Sequence, residues 1–79
     1  MNKEEALRLI SIEYDRATKL HGPIMSSHEA KAVIEEELDE YWDTVKAKQG
    51  QSDQALYELV QLGAMAVRSL VDSTTMIHR

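Results

Sequence analysis

Seventy-nine residues make a single domain, residues 1–79, and the lack of cysteine excludes disulfides, thiolate metal sites and cysteine nucleophiles. Fourteen acidic residues against nine basic ones give a formal net charge of −5, which repels a phosphate backbone, so a nucleic-acid polymer is not an expected partner. The start of the chain has no apolar signal core, and no apolar run approaches the roughly 18 residues of a membrane span, so the expectation is a cytoplasmic protein without a membrane partner.

A chain this short builds only a thin core, and with disulfides excluded its remaining supports are a metal ion or a partner subunit. Its punctuation predicts an all-α fold of three helices, over about residues 3–20, 27–48 and 53–72. In the first, Asn2 is placed to cap the amide of Glu5, with Glu5 in the reciprocal position of a capping box. Ala6/Leu7, Ile10, Tyr14 and Ala17 form one apolar stripe, and Leu9 and Ile12 lie off it, free to meet another element or another chain. His21-Gly22-Pro23 ends the helix, with Gly22 suited to a left-handed residue and Pro23 unable to continue.

The second helix opens with Ser26 as cap and Glu29 three residues later. Its stripe is Ala30, Val33/Ile34, Leu38, Tyr41/Trp42 and Val45. The polar connection Gln49-Gly50-Gln51-Ser52 is short, which predicts an antiparallel return. Ser52 or Asp53 caps the third helix. Its apolar residues, from Ala55 and Leu56 to Leu70 and Val71, spread over about half the helix circumference, more than one core-facing stripe requires. This helix is therefore expected to pack on two sides, within the chain and across a subunit interface. The tail from Ser73 to Arg79 is expected to fray.

The informative stretch is Glu35-Glu36-Glu37-Leu38-Asp39-Glu40. Its carboxylates repel one another along a helix, and the default reading is a solvated acidic face. The helical wheel argues otherwise. Counted from Ala30, Glu37 falls at about 340°, inside the apolar arc between Val33 and Ala30, and Glu40 at about 280°, on its edge. Glu35, Asp39 and Asp43 fall on the opposite face. A carboxylate on a core-facing stripe is costly without a partner, and two that converge raise a pKa unless a cation joins them. A hard cation such as magnesium prefers carboxylate oxygens. On the third helix Glu58 sits at the rim of the apolar arc, with Gln61 and Arg68 on that rim or just beyond it. An antiparallel pairing would bring Glu58 and Gln61 opposite Glu37 and Glu40, a common way to build a metal site between helices.

Glu36-Glu37-Leu38-Asp39-Glu40, followed after 17 residues by Glu58-Leu59-Val60-Gln61, resembles the MazG-type motif Glu-Glu-x-x-Glu and Glu-x-x-Asp. Ser27-His28-Glu29-Ala30 and Ala64-Met65-Ala66-Val67-Arg68 are similar to small phage-type members of that superfamily, so the resemblance spans residues 24–72. It implies a homodimer or homotetramer with a four-helix-bundle-like core shared between subunits. It also implies hydrolysis of a nucleoside triphosphate to monophosphate and pyrophosphate. By matching positions Glu37, Glu40 and Glu58 would hold Mg2+ (or Mn2+), with Gln61 as the fourth motif residue. Glu36 or Glu40 would serve as general base, which makes Glu36, Glu37, Glu40 and Glu58 the implied catalytic set. Lys31, Lys46 and Arg68 are candidates to hold phosphate oxygens. Tyr41 and Trp42 read as core residues, ahead of a role stacking on a base; His28 reads as a surface residue at a helix start, and His21 and His78 carry no assigned role.

One position departs from the pattern: Gln61 stands where the family has Asp. An amide oxygen can coordinate a metal but brings no charge, which weakens cation binding. The alternative function is therefore a catalytically degenerate MazG-like module that binds a nucleotide or a protein.

Overall fold

The structure, a computed structural model, describes residues 1–49 and 52–73. The Gly50-Gln51 part of the polar connection, and the tail from residue 74 with Met76 and His78, lie outside the described residues. Three helices account for the fold, α1 (Lys3–Leu20), α2 (Ser27–Thr44) and α3 (Asp53–Asp72), and a π-helical turn, Val45–Gln49, follows α2. No strand occurs among the described residues, and no helix there is long and apolar enough to cross a membrane.

Capping explains where each helix begins. The side chains of Asn2, Ser26 and Ser52 accept hydrogen bonds from the amides of Glu5, Glu29 and Ala55, three residues on in each case. The reciprocal halves of the expected capping boxes differ from expectation. Glu5 turns forward to Arg8 in a two-pronged ion pair, because a guanidinium is a stronger partner than a backbone amide. Glu29 reaches past the cap to accept from the Met25 amide at 2.7 Å.

Two helix ends also correct the reading. Gly22 is not left-handed; α1 stops because His21 is extended (φ −129°, ψ 149°), its amide still donating to the Ala17 carbonyl at 2.9 Å. As the residue before Pro23, Gly22 is itself disfavoured in helical conformations. The regular part of the second helix ends at Thr44, short of residue 48, and the chain continues as the π turn. The Thr44 hydroxyl donates to the Glu40 carbonyl at 3.0 Å, and the Val45 amide is shared between the Tyr41 and Trp42 carbonyls. Both features loosen the regular i to i−4 ladder at that point.

The third helix packs against both others, which meet each other little. At one end of α2 the Ile24 amide donates to the Asp72 carboxylate (2.9 Å), and at the other Glu37 and Glu40 meet Glu58, so α2 and α3 run antiparallel. Ile10 lies against Gly63, and the Gly22 carbonyl against Arg68, so α1 runs alongside α3 in the same direction. The core is small: Ala17, Ala64 and Met65, with Ile10, Tyr14, Val33 and Ile34 packed around it. A Cβ on Gly63 would lie 2.9 Å from Ile10 Cδ1 and 3.2 Å from its Cγ1. Gly63→Val should therefore push the Ile10 side chain out of its place and cost about 2 kcal/mol by overpacking, measured as a lower urea midpoint with unchanged slope.

Several stripe residues remain outside this core. Leu7, Leu38 and Trp42 are exposed, Trp42 by 54 %, and so are Leu59 and Leu70 of α3. The expectation of a core role for Trp42 is thus corrected for the single chain, because α3 covers only one flank of α2. Tyr41, on the covered flank, is partly buried.

Candidate functional site

The antiparallel pairing of α2 and α3 determines which carboxylates meet. Glu37 and Glu40, one turn apart, face Glu58, and a carboxylate oxygen from each of the three lies within 4.8 Å of the others. Glu58 is buried, at 8 % exposure, Glu37 is partly buried, and Glu40 is open to solvent. The wheel had placed Glu58 only at the rim; the packing of α3 against both other helices buries it more deeply.

Glu58 Oε2 accepts from the Gln54 side chain at 3.2 Å, whereas Glu58 Oε1 and Glu37 Oε1 are buried with no hydrogen-bond partner. Two buried carboxylate oxygens without partners are expensive, each comparable to a lost charge-assisted hydrogen bond. Burial, the neighbouring charge of Glu40, a hydrogen bond with Glu40, and the charges of Glu58 and Glu36 together push the Glu37 carboxyl up to about 7. The donor set is oxygen only and anionic, which suits a hard divalent cation, and such an ion would satisfy both orphaned oxygens and offset the repulsion. The residues present therefore fit the cation that the sequence implies.

Beside this cluster lies a cavity of about 380 Å³ between the three helices. Glu37 belongs to both. Glu36 and Gln61 lie on the cavity wall, as do Arg16 of α1 and Arg68 of α3. The structure thus gathers Glu36, Glu37, Gln61 and Arg68 around one space, and Glu37, Glu40 and Glu58 around one point.

The two lysines go elsewhere. Lys31 pairs with Glu35 (3.2 Å) and Lys46 with Asp43 (3.4 Å), both on exposed faces of the chain. Lysine stems on the wet side of α2 and of the turn that follows it find the acidic residues one turn away, as helical spacing dictates. Arg68, at 5 % exposure, is more buried than its wheel position indicated. It donates to the Gly22 carbonyl at 2.7 Å and approaches Met65 Sδ at 3.6 Å, which ties the α1–α2 turn to α3. His28 is exposed, as expected of a helix start, and His21 lies on the cavity wall.

Sequence reasoning missed Glu13 and Arg16. Glu13 is 5 % exposed, and its two oxygens accept from Arg16 Nε (2.9 Å) and Nη2 (2.6 Å). The signal was present. Counted from Ile10, Glu13 falls at about 300°, next to Ala6 and Ala17 on the core side, the same anomaly that singled out Glu37.

No known protein family, curated protein or solved structure matches this chain in a search of each.

Proposed function

We propose that this chain is a MazG-like, magnesium-dependent nucleoside triphosphate pyrophosphohydrolase, converting a nucleoside triphosphate and water to a monophosphate and pyrophosphate. The observation that carries the reading is the pair of buried, partnerless oxygens on Glu37 and Glu58, set in a three-carboxylate cluster that opens on a cavity. Glu37, Glu40 and Glu58 would hold the cation. When bound, Mg2+ (or Mn2+) supplies charge neutralisation for phosphates and lowers the barrier to deprotonating water. Glu36, exposed on the cavity wall and outside the cluster, is the carboxylate left free to accept the proton of the attacking water. Gln61, on the same wall, adds a neutral oxygen and amide donor.

The assembly proposed is a homodimer or homotetramer in the cytoplasm. Supporting it are the exposed apolar stripes, Leu38 and Trp42 four residues apart on α2, and Leu59 and Leu70 eleven apart on α3. A second copy laid on them would complete a four-helix core that the single chain leaves half-covered. A second reading, a degenerate module that binds a nucleotide or a protein without turnover, is favoured by the missing charge at Gln61.

Thermal unfolding with and without millimolar Mg2+ or Mn2+, followed by assay of pyrophosphate release from a nucleotide panel, separates these readings. A ligand at 100 times its dissociation constant adds about 2.7 kcal/mol, a shift of roughly 10 °C or more in a domain this small. A shift with pyrophosphate release is the expected result. A metal shift without release supports the degenerate module, and no shift at all overturns the enzyme reading and leaves only the protein-binding form of the second.

A further inference from the structure

We propose that Arg16 is a phosphate-binding residue of this site, held by Glu13 so that it meets the phosphate chain of a nucleotide lying in the cavity between the three helices. This rests on the pyrophosphohydrolase reading, which supplies the substrate class and the cation on the opposite side. It changes which cation does the work: of those the sequence singled out, Lys31 and Lys46 point away from the site, and Arg68, 5 % exposed, is buried against the Gly22 carbonyl and Met65 Sδ.

Three observations converge on Arg16. First, it stands on the α1 wall of the cavity, which Glu36, Glu37 and Gln61 also line. A polyphosphate gripped by a cation at the carboxylates needs a second positive group for the rest of its charge, and in a chain of net charge −5 few are available. Second, its orientation is imposed. Both Glu13 oxygens bind Nε and Nη2, which takes two of the five N–H donors of the guanidinium and leaves three on a side chain that is 48 % exposed. A planar group clamped along one edge is preorganised to offer the other, and arginine matches phosphate oxygens in this manner. Third, Glu13 has no evident structural reason to be charged. Burying a carboxylate to pair with a half-exposed arginine brings little net stability, and an apolar residue of similar size would pack as well. A carboxylate there makes sense as the group that positions Arg16.

The test is direct binding. The double variant Arg16→Gln/Glu13→Gln keeps an amide pair in place of the ion pair, so no buried charge is stranded; Arg16→Lys keeps the charge and loses the fork. Far-UV circular dichroism and a melting curve verify that each is folded. Each protein is titrated with Mn2+ alone, and then, with Mn2+ saturating, with inorganic tripolyphosphate. The double variant should keep its Mn2+ affinity within about twofold and lose roughly 10–100-fold in tripolyphosphate affinity, the loss expected for a charge-assisted contact. Arg16→Lys should fall between. Equal tripolyphosphate binding by wild type and double variant overturns the role of Arg16 while leaving the metal reading standing. A parallel loss of Mn2+ affinity also overturns it, because the pair would then be serving the carboxylate cluster. Wild-type protein that binds no Mn2+ overturns the underlying reading, and this inference with it.

Discussion

Replacing Glu58 by Gln should leave the metal-free protein folded and slightly more stable, while its response to Mn2+ and its pyrophosphate release both disappear. Glu58 is the most buried of the three carboxylates and one of its oxygens has no partner, so its charge is a cost in the absence of a cation. Glutamine keeps the shape and can still accept from Gln54, now without repulsion toward Glu37 and Glu40. The gain should be on the order of 1 kcal/mol, since like-charge repulsion toward two carboxylates in a partly wet site is relieved. The loss of metal affinity should exceed the roughly 10–100-fold typical of removing a mere supporting partner, because a direct ligand goes. Melting curves with and without Mn2+, set beside isothermal titration, read both halves. A variant stabilised without metal yet deaf to it is the signature of a carboxylate retained for a cation. If Glu58→Gln instead keeps the full Mn2+ response, the cluster is only an acidic seam.

The second large effect is a reversal of pH dependence. Glu37 is raised from the ordinary carboxylate range to about 7 in the metal-free fold. In the window between about 4.5 and 7 the folded state therefore binds more protons at this group than the unfolded state, and stability falls as pH rises. The stabilisation is complete below the unfolded pKa and lost above the folded one. A shift of this size, discounted for the partial exposure of Glu37, corresponds to on the order of 2 kcal/mol. In saturating Mg2+ the sign inverts, because the cation binds the deprotonated carboxylates and its stabilisation grows as pH passes through about 7. The Glu37→Gln variant removes this contribution from both curves, so subtracting its melting temperatures from those of wild type isolates the effect from the other titrating groups. Parallel curves with and without Mg2+ would dismiss the cation site.

How much of this was legible in the sequence can be traced residue by residue. Helix starts were, because a cap is a local transaction: Asn2, Ser26 and Ser52 each meet an amide three residues away. The all-α class was legible for the same reason, as apolar spacing and turn residues act within one element. The wheel also picked Glu37 as a carboxylate inside the apolar arc and Glu58 as one at its rim, since helical period alone puts a residue toward or away from the core. The end of α2 was not legible, because a threonine hydroxyl and a shared amide decided it, and neither was the hydrogen bond that the Gly22 carbonyl accepts from an arginine 46 residues away.

By itself, then, the chain determined its helices, their faces and the identity of the carboxylates that had to be explained. The tertiary structure alone decided which of them meet, how deeply Glu58 is buried, and that two oxygens lack partners. It also decided which cations reach the cavity. Lys31 and Arg16 are equally ordinary in a helical sequence, but the packing of α1 along α3 brings Arg16 to the cavity, while Lys31 stays on the exposed side of α2. The physical reason is range. Caps and periodicity act over three or four residues of one helix, whereas a site is made where separate helices touch, and that contact depends on the shape of the whole packed chain.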